Sequence, residues 1–101
     1  MSDQVKTIFR KYKNGDGIIA LFPELPVENN ESLCKACTRA GQCVCDPHHV
    51  IRFSTPAIVS EYLPIYGDIR KCLGYDIVPV LRCSPKMMRT RVKEHNKLKN
   101  T

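Results

Sequence analysis

Residues 34–49 read CKACTRAGQCVCDPHH and hold four of the six cysteines and two of the three histidines in the chain. The spacing is Cys34-x2-Cys37-x5-Cys43-x-Cys45-x2-His48-His49. Thiolates and imidazoles this close in sequence are the ligand types of tetrahedral zinc, and a Cys-x2-Cys arm lets two sulfurs bite one ion from a single turn. The second arm is tighter than usual, so His48 or His49 is an alternate for one of its thiolates. The expectation is a structural zinc held by Cys34, Cys37, Cys43 and Cys45.

Disulfides are the bland reading of the same cysteines, in a secreted mini-domain. The start of the chain, MSDQVKTIFRKYK, has no apolar run of the kind a signal peptide needs, and no apolar stretch elsewhere is long enough to span a bilayer. A cytoplasmic protein with no membrane contact is therefore expected, and clustered cysteines in a reducing compartment are more often ligands than bridges.

Upstream of the cluster, QVKTIFRKY at 4–12 reads as a strand, and KNGDG at 13–17 supplies residues that accept positive φ. GIIALF at 17–22 reads as a second, well-buried strand ended by Pro23. Residues 4–22 are thus a hairpin. Residues 23–48 show little periodicity, and two prolines in PELPVENNES disfavour central pairing, so the segment reads as a long Cys-rich loop that a metal would staple.

Downstream, residues 49–83 read as strand, helix, strand. VIRFS at 50–54 is the first strand, Thr55-Pro56 is a cap-and-proline helix start, and Ile58, Tyr62, Ile65 or Tyr66, Ile69 and Leu73 recur at helical spacing up to Gly74. Pro64 predicts a kink. YDIVPVLRC at 75–83 is the second strand, with Cys72 and Cys83 as small buried hydrophobes. A crossover through the helix predicts that these two strands run parallel. Ser84-Pro85 opens a last helix in residues 84–101.

At 101 residues and 43% hydrophobic composition the chain makes one domain with a single modest core. Its net charge of +6 is concentrated at the end, where seven cations from Arg82 onward oppose Glu94 alone. Arg82, Lys86, Arg89, Arg91, Lys93 and Lys97 are the candidate phosphate contacts. The overall expectation is an α+β domain with a small sheet of three to four strands (β-β-loop-β-α-β-α), one packed helix and a basic C-terminal helix.

TIFRKYKNGDGIIALFPELP, Cys34 with Gly41-Gln42 beyond it, STPA, LGYDI and SPKMMRTRVK together resemble a family of short bacterial and mobile-element proteins. That family has a hairpin of the form FRK-aromatic-K-x-G-x-IALFPE-x-P. The resemblance covers nearly the whole chain and implies a coherent fold and a mobile-element origin, but no activity. Its members carry Gly-Gln-His where this chain has Gly41-Gln42-Cys43, and a histidine near the position of Arg39.

Two kinds of enzyme are disfavoured. Cys34-x2-Cys37 followed by Asp46-Pro47-His48-His49-Val50 looks like the opening of an HNH nuclease, but residues 50–73 contain no histidine or asparagine to complete the metal site. A hydrolytic triad lacks its strand-turn-helix nucleophile elbow. The expected function is a small non-enzymatic binding protein, a protein-interaction module first and a nucleic-acid binder through the basic helix second.

Overall fold

The computed structural model describes residues 4–13, 17–27 and 30–99. Among these the elements are β1 (Gln4–Tyr12), β2 (Ile18–Val27), β3 (Asn30–Thr38), β4 (Gly41–Cys45), α1 (Pro47–Arg52), β5 (Ser54–Pro56), α2 (Val59–Leu73), β6 (Asp76–Pro79) and α3 (Pro85–Lys99). The strands form one six-stranded sheet in the order β4-β3-β2-β1-β5, with β6 also on β1. The expected sheet of three to four strands is therefore corrected. Two of the strands missed from sequence, β3 and β4, lie inside the supposed loop 23–48, and β5 lies where a helix start was expected.

β1 and β2 form the expected hairpin, with Ile8 opposite Leu21 and Lys11 opposite Ile18. Tyr12 N–H donates to the Gly17 carbonyl at 3.2 Å, and Gly17 takes φ +107°, a value that favours glycine. The turn residues Asn14, Gly15 and Asp16 lie outside the described residues. Past Phe22 the strand does not stop at its prolines but bulges: Phe22 pairs with Lys35, while Pro26, four residues on, pairs with Cys34, only one residue away on β3. A bulge lets a strand carry Pro23 and Pro26, since neither has an amide proton to give the ladder. β3 then turns back as β4, so the Cys-rich segment is a hairpin.

Around the bulge, α3 donates to backbone oxygens of β2 and β3. Arg91 is 1% exposed; its Nη1 donates to the Pro23 carbonyl at 3.2 Å and its Nε to the Glu31 carbonyl at 3.2 Å. His95 Nδ1–H donates to the Val27 carbonyl at 2.8 Å. Ser84 starts this helix as expected, its hydroxyl accepting from Met87 N–H at 3.3 Å.

The outer edge of β1 is shared by two short strands. β5 pairs antiparallel with its end (Arg10 opposite Pro56, Tyr12 opposite Ser54), and β6 pairs parallel with its start (Gln4 opposite Asp76, Thr7 opposite Pro79). The strands on either side of α2 thus run in opposite senses, not parallel as expected. The expected strand at 50–54 is mostly α1. Asp46 caps it by accepting from His48 N–H and His49 N–H, and Pro47 sits in its first turn. Thr55-Pro56 is correspondingly in β5. α2 starts three residues later, where Glu61 accepts from Ile58 N–H at 3.0 Å and pairs with Lys11 at 2.6 Å. It continues through Pro64 and ends at Gly74, whose φ of +67° makes the left-handed cap.

Helices cover both sheet faces, giving two cores. On one face Ile65 and Ile69 of α2 pack with Phe9, Phe22, Cys37 and Ile77, and Tyr62 stacks on Phe9 at 4.0 Å between ring centroids. On the other, Val50 of α1 packs with Ile8, Ile19, Leu21 and Ala36. Arg10 belongs to this second face and ties β1 to the α1–β5 corner. Its guanidinium donates to Ser54 Oγ at 2.8 Å, the Ser54 carbonyl at 2.6 Å and the Ile51 carbonyl at 3.0 Å. Burial lowers its pKa.

Arg10→Met removes these donors but keeps the bulk, and is expected to cost about 2–4 kcal/mol in urea unfolding. Arg10→Lys should recover less than half of that, because an ammonium does not reproduce the planar fork. A loss under about 0.5 kcal/mol, within the range of ordinary surface changes, would contradict the role given to Arg10.

Candidate functional site

Strand alternation decides where the cysteines point. Cys34 lies opposite Cys45 and Ala36 opposite Cys43, so Cys34, Cys43 and Cys45 share the face covered by α1 and α3. Cys37 lies opposite Gln42 and points to the other face, where it is buried among the residues packed against α2. Its thiol donates to the Thr38 carbonyl at 3.4 Å. The four-cysteine zinc set read from the sequence is therefore not assembled, because the sheet stands between Cys37 and the other three. Among the described residues, no three His, Cys, Asp or Glu side chains converge as metal ligands. His48 and His49, the alternates, are exposed on α1, and His49 rests against the Phe53 ring at 4.8 Å.

The thiols that do meet are Cys34 and Cys45, with Sγ atoms 4.0 Å apart. Cys34 is fully buried and Cys45 partly so. The hydrogen bond between the two sulfurs pulls the Cys45 pKa down, and the Arg91 cation works the same way. That hydrogen bond, and then burial, push Cys34 well up. Of the two sulfurs, Cys45 is the one whose ionisation the surroundings favour. Nearby, the Cys83 thiol donates to Met88 Sδ at 3.3 Å, and burial raises the Cys83 pKa. Burial also raises Cys43 and Cys37, each with a smaller contribution from neighbouring thiols. Cys72, expected as a buried hydrophobe, is exposed on α2.

The basic residues divide similarly. Arg91 is a buried structural donor and is removed from the set of phosphate contacts. Lys86, Arg89, Lys93 and Lys97 are exposed at spacings of three and four residues, opposite the buried Met87, Arg91 and His95. Arg82 is exposed just before the helix, and Lys97 pairs with Glu94 at 3.2 Å.

A site that sequence reading missed lies where β5 and β6 meet over β1. Ile58, Val59 and Leu63 at the start of α2 and Leu81 after β6 are 63, 56, 55 and 75% exposed. Ile58, Val59 and Leu81 border an open groove of about 360 Å³ floored by Phe9, Ala57 and Tyr62. The available signal was that α2 carries apolar residues on two faces: Val59 and Leu63 are turned away from Ile65 and Ile69. Arg82 continues the rim beyond Leu81 into an adjoining hollow.

No helix among the described residues is long and apolar enough to cross a membrane. Comparison of the chain with protein-family models, curated protein sequences and solved structures gives no match.

Alkylation at alkaline pH is expected to modify the exposed Cys43 and Cys72 first. Cys34 and Cys37 should react at least about a hundredfold more slowly, through opening of the fold. Mass mapping of labelled peptides over time checks the order. Early labelling of Cys37 would contradict its placement under α2.

Proposed function

We propose that this protein is a non-catalytic, cytoplasmic binding module that takes an apolar segment of a partner protein, acidic at one end, on the Ile58–Val59–Leu63–Leu81 corner. The supporting observation is the exposure of Ile58, Val59 and Leu81 around one groove, with Leu63 exposed on the next turn of α2. A monomer surface seldom leaves such side chains contiguous and uncovered without a partner for them. Burying them on association would stabilise the complex through the hydrophobic effect, while Tyr62 and Phe9 give the groove a stiff floor.

Charge selects the orientation. Arg82 stands beside Leu81 and takes no part in the ion pairs found among the described residues, so a carboxylate on the partner would meet it at the rim. The groove is lined by aliphatic, aromatic and proline side chains, which suit binding rather than acid–base or nucleophilic chemistry.

A second reading rests on the α3 stripe. Lys86, Arg89, Lys93 and Lys97 span roughly 16 Å of helix, enough to neutralise a few phosphates with strong salt dependence. Phe53 is 51% exposed, with Arg52 5.8 Å from its ring centroid, which adds one aromatic surface suited to stacking on a base.

The test places a photo-crosslinking residue at position 81 or 58, and at 42 as a control, and identifies what is joined in cells. The reading predicts one protein joined from 81 and 58 but not from 42, with Leu81→Asp lowering its affinity roughly 30-fold, as expected for a hot-spot residue. Crosslinks equal at all three positions, or a partner indifferent to Leu81→Asp, would overturn it. Salt-sensitive binding of a single-stranded oligonucleotide, lost on replacing Lys86, Arg89 and Lys93 with glutamine, would favour the second reading instead.

A further inference from the structure

Cys34 and Cys45 belong to neither binding surface, and their arrangement suits a chemistry of its own. They are direct cross-strand partners in the β3–β4 hairpin, and their sulfurs are 4.0 Å apart. Directly opposed residues of an antiparallel pair have Cα atoms about 4.5–5.5 Å apart, within the window that a disulfide bridges. Side-chain rotation alone can therefore close the remaining gap. The two thiols also differ in access: Cys34 is fully buried, while Cys45 is partly exposed on the edge strand β4. Arg91, buried and held by backbone carbonyls, favours a thiolate at both sulfurs.

We propose that Cys45 and Cys34 form an oxidisable dithiol, in which Cys45 reacts with a hydroperoxide and Cys34 resolves the product into a cross-strand disulfide. The Cys45 thiolate attacks one peroxide oxygen; the O–O bond breaks, and the other oxygen leaves as water or an alcohol after taking a proton. Cys45 then carries a sulfenic acid. The Cys34 sulfur attacks Cys45 Sγ, the S–O bond breaks, and the hydroxyl departs with the thiol proton as water. Two thiols lose two electrons in all, and the peroxide gains them. A low-molecular-weight thiol reverses the step by thiol–disulfide exchange.

Burial of Cys34 makes this more than a surface oxidation. The resolving thiol is shielded from outside reagents yet next to a sulfur that they can reach. Cys43 and Cys72 are more exposed, but Cys43 faces Ala36 across the hairpin and so lacks a cross-strand thiol. The disulfide pins edge strand β4 to β3, so oxidation stiffens the outer side of the sheet at the end away from the apolar corner.

The experiment treats the fully reduced chain with one equivalent of hydrogen peroxide and maps every cysteine by mass spectrometry. The expected result is loss of two free thiols with a Cys34–Cys45 linked peptide pair as the main product, reversed by dithiothreitol. In Cys34→Ala, which keeps an apolar group at the buried position, dimedone should instead label Cys45. In Cys45→Ser, peroxide consumption should fall at least about tenfold, as expected when the favoured thiolate is lost. Oxidation that falls first on Cys43 or Cys72 while Cys34 and Cys45 stay reduced, or a disulfide between other cysteines, would overturn the proposal. The peptide map of the unmutated chain decides it even where a substitution impairs folding.

Discussion

The guanidinium of Arg91 is the contact on which most of this architecture converges. Two prolines in β2 deny the ladder two amide protons, the strand bulges, and carbonyls at Pro23 and Glu31 turn toward the face that α3 covers. A buried carbonyl without a donor, such as that of Pro23, would cost on the order of 1–3 kcal/mol. Arg91 donates to it and to the part-buried carbonyl of Glu31 with a rigid fork, and His95 donates to that of Val27. Among the described residues no buried side-chain nitrogen or oxygen lacks a partner. The charge is carried by carbonyl dipoles rather than by a carboxylate, which suits the weakly hydrated guanidinium better than an ammonium.

The same residue orients what surrounds it. With Arg91 and His95 turned inward, helical geometry sends Lys86, Arg89, Lys93 and Lys97 outward, so a basic surface is a consequence of how α3 docks. The Arg91 charge also reaches the Cys34–Cys45 pair, where it favours the thiolate. Arg10 plays the matching part at the other end of this face, joining β1 to the α1–β5 corner. That corner leads directly into the groove beside Leu81. One sheet thus carries a thiol pair, a basic ridge and an apolar corner as separate surfaces.

Elements with strong local signals were legible in the sequence. The 4–22 hairpin, the Gly74 cap and the Ser84-Pro85 helix start each have a short-range physical cause and lie where the residues indicate. The β2 bulge was not legible, because Pro23 and Pro26 read as breakers until long-range donors from α3 are known. Without the bulge, NESLCKACT has no partner and looks like loop, although Cys34, Ala36 and Cys37 are all buried. Asp46-Pro47 was an available helix signal, outweighed by β-branched Val50 and Ile51. For the candidate sites, Cys34 and Cys45 were picked out as chemistry-bearing residues. Their separation from Cys37 follows only once period-two alternation replaces the loop. The apolar corner was invisible because Ile58 and Leu81 read equally well as core.

The most direct test of the account is amide hydrogen exchange on Arg91→Met protein, reduced and treated with chelator, compared with the unmutated chain under the same conditions. If Arg91 ties α3 to the bulge, protection falls together in α3, in residues 23–27 and in β3, while the β1–β2 hairpin before the bulge keeps its slow amides. Residues 31–38 of the unmutated chain should already be protected without metal. Fast exchange there until zinc is added, or an Arg91→Met protein whose α3 and β3 remain as protected as before, would contradict it.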